Sequence, residues 1–99
     1  MTKKVNGRYD EDQMKLLCRA FMAVETEEEC MRFLEDLMTV QEMQDMSQRL
    51  YVAKRLREGL GYQKISEEVS VSSATISRVN RCLNYGTDGY RAILDKIGE

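Results

Sequence analysis

Twenty residues, Tyr62–Arg81 (YQKISEEVSVSSATISRVNR), constrain this chain more than any other stretch. An α-helix turns about 100° per residue, so apolar residues three and four apart share a face. Ile65 and Val69 share one in the first half of the stretch, and Ile76, Val79 and Leu83 share one in the second. Between them Ser70, Val71 and Ser72 break the period. Ser73 opens the second helix, with Ser72 suited to cap it. The pattern predicts two short helices joined by a tight break, each pinned by aliphatic side chains.

The opposite side of the second helix carries Ala74, Ser77, Arg78 and Arg81. Small residues let a backbone approach a groove floor, hydroxyls bond phosphates or base edges, and arginine grips guanine through two hydrogen bonds. This is the surface expected of a helix-turn-helix, with the first helix across the DNA backbone and the second in the major groove. Arg78 and Arg81 are the expected base or phosphate contacts. Gln63 and Lys64 contribute from the first helix, and the amides that follow the Ser72 cap could bond a phosphate. An ordinary hairpin in a helical bundle would more often place Glu and Lys on its free face. Glycine often fills the turn position held here by Ser70; a left-handed backbone there would cost a non-glycine residue roughly 1–2 kcal/mol.

The net charge of −2 hides a strong asymmetry. Residues 1–47 hold six Lys/Arg against eleven Asp/Glu, a net of −5; residues 48–86 hold seven against three, a net of +4; residues 87–99 hold two against three, a net of −1. Positive charge gathers around the motif, as a phosphate-facing surface requires, and the acidic half should face away from DNA.

The rest of the 99 residues reads as helix throughout, a length suited to one domain. Residues 1–8 are polar and arm-like. A helix is expected from Tyr9 to about Val24, with Met14, Leu17, Cys18, Phe21 and Met22 along its apolar stripe. Thr26 and Glu29 form a reciprocal capping pattern for a second helix, whose stripe is Cys30, Phe33, Leu34 and Leu37. Thr39 and Glu42 repeat that pattern for a third, about Val40 to Glu58, with Met43, Met46, Leu50, Ala53 and Leu56 inward and Gly59 and Gly61 ending it. A last helix, capped by Thr87 or Asp88, carries Tyr90, Ile93, Leu94 and Ile97. The expected fold is therefore all-α with six helices: residues 1–58 for dimerisation, 60–84 for the helix-turn-helix and 87–97 for the C-terminal helix.

Leu16 and Ala20 widen the first stripe, and Met31 and Met38 the second, beyond what a small monomer can cover. A homodimer would cover them, and would place two reading helices on a two-fold operator in double-stranded DNA. The same apolar, acidic half would also suit a dimeric α-helical interaction module that does not bind DNA.

Several other functions lack the residues they need. Cys18, Cys30 and Cys82 are widely spaced and the chain has no histidine, so no metal site is expected and the cysteines read as packing residues. No glycine-rich phosphate loop or carboxylate pair suggests an enzyme or a cofactor. No apolar run reaches the ~20 residues of a membrane span, and a cytoplasmic location is expected.

The motif ATISRV at Ala74–Val79, preceded by QRLYVAKRLREG at Gln48–Gly59, resembles the Trp repressor superfamily. It is similar to the Trp repressor-related branch found in Firmicutes. The resemblance runs from about Thr39 to Ile97 in recognisable motifs and in outline over the first 38 residues. It implies an intertwined homodimer and DNA contacts at Gln63, Ser73, Ala74, Thr75, Ser77 and Arg78. Arg49 and Arg78 fall near the two arginines that sandwich the indole in the repressor, and Cys82 stands where a serine assists, so an effector pocket would involve Arg49, Arg78, Val79 and Cys82. Val79 replaces the glycine beside which the indole packs. Tryptophan is therefore not expected to act as corepressor.

Overall fold

The computed structural model describes residues 8–99, so the predicted polar arm lies outside the described residues except for Arg8. Six α-helices follow one another: α1 (Glu11–Ala23), α2 (Glu27–Leu37), α3 (Val40–Arg57), α4 (Tyr62–Glu68), α5 (Ser73–Tyr85) and α6 (Gly89–Lys96). They form two compact units, one ending at Thr39 and one spanning Val40–Glu99.

The first unit is a helical hairpin. Asp10 caps α1, its carboxylate accepting from the Gln13 amide at 3.0 Å. Thr26 caps α2 through the Glu29 amide at 3.1 Å. The Glu29 carboxylate reaches back to the Glu25 amide at 2.8 Å, one residue before the reciprocal position expected. The rings of Phe21 and Phe33 meet edge to face, with centroids 5.3 Å apart. Two helices alone cannot enclose a core, and no residue of α1 or α2 is fully buried. Cys18 is exposed and Cys30 half-buried, so packing within this unit does not cover the Cys18 thiol.

The second unit has the core. Val52 and Ala53 of α3, Ile65 of α4, Ile76, Val79 and Leu83 of α5 and Leu94 of α6 are buried together, with Leu56, Leu60, Val69, Val71 and Tyr90 packed around them. Burying each of the larger side chains contributes about 1.5–3 kcal/mol. α5 lies at the centre, against α3, α4 and α6. The expected inward face of α3 needs correction. Ala53 is buried and Leu56 packs on the core, but Met46 and Leu50 are 43% and 39% exposed, and Val52 takes an inward place instead. The helix turns its 52–53–56 edge toward α5, leaving the 46–50 edge outside the core.

Gly59 adopts φ 91° just beyond α3, a conformation glycine takes without steric cost. Gly61 does not share that role: at φ −80° it is the N-cap of α4. At the last joint Asp88 stands before α6 in the left-handed region, φ 71°, without a side-chain cap bond.

Candidate nucleic-acid interface

α4, the break and α5 are held from beneath. Ile65 is fully buried, the Val69 amide closes α4 on the Ile65 carbonyl at 3.0 Å, and the Val71 amide bonds the Val69 carbonyl at 3.0 Å. Val69 and Val71 pack on the core, which fixes the break from inside. Ser70 does not take the left-handed conformation, since Asp88 is the non-glycine residue with positive φ among those described. The strain considered for Ser70 is therefore absent. Ser72 then caps α5, its Oγ accepting from the Thr75 amide at 3.1 Å and lying 3.2 Å from Thr75 Oγ1.

Because Ile76, Val79 and Leu83 face the core, helical geometry turns Ala74, Arg78 and Arg81 outward. Those three are exposed, as are Ser72 and Ser73; Thr75 and Ser77 are half-buried. Gln63 and Lys64 are exposed on α4.

Ion pairing separates this face from the rest of the unit. Arg55 holds Glu68 with two hydrogen bonds of 2.9 Å, and Tyr51 donates to the same carboxylate at 3.0 Å. Arg55 also pairs with Glu58, and Lys54 pairs with Glu58 at 3.0 Å and Glu99 at 3.4 Å. Arg57 pairs with Asp95 at 2.7 Å. Arg91 donates to the Leu83 carbonyl at 3.0 Å, satisfying the end of α5, and lies 3.9 Å from Asp88. Among the described residues, Lys64, Arg78 and Arg81 enter no ion pair, nor do Arg49 on α3 and Lys96 on α6. The cations that brace the fold are neutralised, and those on the α4–α5 face are available.

The pKa shifts follow these pairs. Hydrogen bonds from Arg55, then from Tyr51, hold the Glu68 carboxyl below the usual carboxylate range. Glu58 is lowered chiefly by its bond from Lys54. The Tyr51 hydroxyl is raised because it donates to Glu68.

The residues suggested for an effector have different surroundings. Val79 is 2% exposed and belongs to the core. Cys82 lines an apolar hollow of about 580 Å³ with Leu50, Tyr90 and Ile93. Arg49 lines a separate polar notch beside Ser70 and Ser72. Burial raises the Tyr90 hydroxyl, Cys82 adds to that, and Arg49 and Arg78 oppose it. Arg78 itself remains on the outer face of α5. Among the described residues no group of Cys, Asp or Glu could hold a metal ion, and no helix is long and apolar enough to cross a membrane.

Sequence reasoning missed the Tyr51–Arg55–Glu68 cluster. Arg55 and Glu58 were legible as helical neighbours, but Arg55 and Glu68 lie 13 residues apart on different helices.

The family model for the Trp repressor protein matches residues 12–97. YerC, an uncharacterized protein of Bacillus subtilis strain 168, is 48% identical over 87 residues, covering 88% of this chain and 84% of its own length. A TrpR-like protein from Eubacterium eligens superposes with a TM-score of 0.84 at 42% identity, over 88% of this chain and 90% of the other. A protein from Staphylococcus aureus, solved as a candidate Trp repressor, gives 0.83 at 45% identity, over 87% and 86%. The chain belongs to the Trp repressor family.

Proposed function

We propose that this protein is a sequence-specific DNA-binding transcriptional regulator, a repressor that binds a two-fold operator as a homodimer through the helix-turn-helix formed by α4 and α5. Family membership supports a regulator rather than an enzyme. The observation that carries the reading is the outward strip of Ala74, Arg78 and Arg81, with half-buried Ser77 beside it, on a helix pinned by Ile76, Val79 and Leu83, both arginines having no carboxylate partner among the described residues. Gln63 and Lys64 extend the strip onto α4, and Ser72, Ser73 and Thr75 bring hydroxyls to its leading end. Regulation without tryptophan is supported by Val79, which stands where the resembling repressor has the glycine beside which the indole packs.

Selection from a random duplex library tests this directly. The expected product is a palindromic site whose affinity falls about 10³-fold or more between 50 and 200 mM salt if six or more phosphates are contacted. Recovery of no enriched sequence, with binding only to protein targets and little salt dependence, would overturn it in favour of a dimeric interaction module.

A further inference from the structure

We infer that the polar notch between α3 and the start of α5 seats a phosphate of the DNA backbone, with Arg49 as its cation. This rests on the DNA-binding reading above and adds a third helix to the contact surface. The notch, about 270 Å³, is lined from α3 by Asp45, Gln48 and Arg49 and from the turn and α5 by Ser70, Ser72 and Thr75.

Two observations point to an anion. The first is how α3 distributes its charge. Lys54, Arg55 and Arg57 each have carboxylate partners, whereas Arg49, exposed on the same helix, has none. A partner stands one turn away: Asp45 and Arg49 are four apart in the acid-before-base order that favours pairing on a helix. The pair does not form. Asp45 instead accepts from Gln41 Nε2 at 2.9 Å, one turn back along α3. A guanidinium left with its donors unused matches the geometry of a phosphate, which it can grip through two parallel bonds.

The second observation is the unused hydrogen-bonding groups around Arg49, Ser70 on the opposite wall and Gln48 beside it on α3. The Ser70 hydroxyl and the Gln48 amide have no hydrogen-bond partner among the described residues, so both can donate into the notch. Ser72 and Thr75 are already part of the proposed reading surface, so the notch continues it. A helix in the major groove has a phosphate strand along each rim, and a recess beside the leading end of α5 meets one of them. Asp45 is the opposing element, a carboxylate on the rim of a site that would hold an anion.

The test uses the full chain, the selected duplex and an unrelated duplex, with anisotropy titrations across a salt series. Arg49→Ala is expected to weaken both duplexes alike, by about tenfold at low salt, and to flatten the log–log salt slope by about one for each protomer bound. Asp45→Asn is expected to tighten both, an effect that a purely structural role would not produce. An unchanged slope for Arg49→Ala, or weaker binding by Asp45→Asn, overturns the inference. Arg78→Ala, run in parallel, separates the two readings. If it relaxes sequence preference while Arg49→Ala matches the wild type, the phosphate seat fails and the reader stands. If the wild-type chain binds neither duplex, both fail.

Discussion

Arg78 and Ser72 show how differently two neighbouring polar residues can matter. Arg78 makes no contact that the fold requires, so Arg78→Ala should leave thermal stability unchanged. If it reads a base, the same change should cost about 1–3 kcal/mol of operator affinity and relax selection at one position, as competition with singly substituted duplexes would reveal. Ser72 does the opposite. Its hydroxyl satisfies an amide at the start of α5, so Ser72→Ala should lower stability by about 0.5–2 kcal/mol, measured by thermal unfolding. The cap and the outward placement of Arg78 were legible in the sequence, because both depend only on neighbours along one helix. The position of Val79 was legible as well. Its place where the resembling repressor has the glycine beside the indole leads to a further expectation, that calorimetry with L-tryptophan will give no micromolar binding heat and that tryptophan will leave DNA affinity unchanged.

Between helices, the sequence said less. The alternation of apolar residues located α4, α5 and α6 almost to the residue, yet it could not show which edge of α3 met them. Met46 and Leu50 fit the helical period as well as Val52 does, and only the position of α5 decides among them. The same holds for the Tyr51–Arg55–Glu68 cluster that ties the end of α4 to α3. Glu68 titrates below its usual value of 4.5 in the folded chain, so the stabilisation from this cluster is fully present above 4.5. It is lost as pH falls through the lower folded value. Lys54 is shifted upward, mainly by Glu58, so its contribution is present below 10.5 and fades as pH rises through the higher folded value. Wild-type protein should therefore lose unfolding temperature as pH falls through the lowered Glu68 value. Glu68→Gln should start lower at neutral pH and show a shallower acid decline, because the group whose protonation breaks the cluster is gone.

The two units differ in what they can enclose. Val40–Glu99 has a buried centre, but the hairpin before it leaves Leu16 59% and Met31 53% exposed. Tyr9, Met14, Leu17 and Phe33 also line an apolar groove of about 480 Å³. On the proposed homodimer reading a second copy of the chain covers this surface, and Leu16→Glu should shift sedimentation toward monomer and weaken operator binding together. If Leu16→Glu remains a dimer with full affinity, dimerisation does not use this face. The excess of apolar residues in the first two helices was visible in the sequence, as stripes wider than a small monomer can cover.

Gly86, where α5 ends, sets a different kind of limit. A β-carbon placed there would lie 2.5 Å from the Cys82 carbonyl oxygen, whereas Gly61 has open space around the same position. The exit from α5 thus passes through a gap that no side chain fits. In a library randomised at both positions and sorted for folded protein, 86 should return glycine almost alone while 61 tolerates many residues.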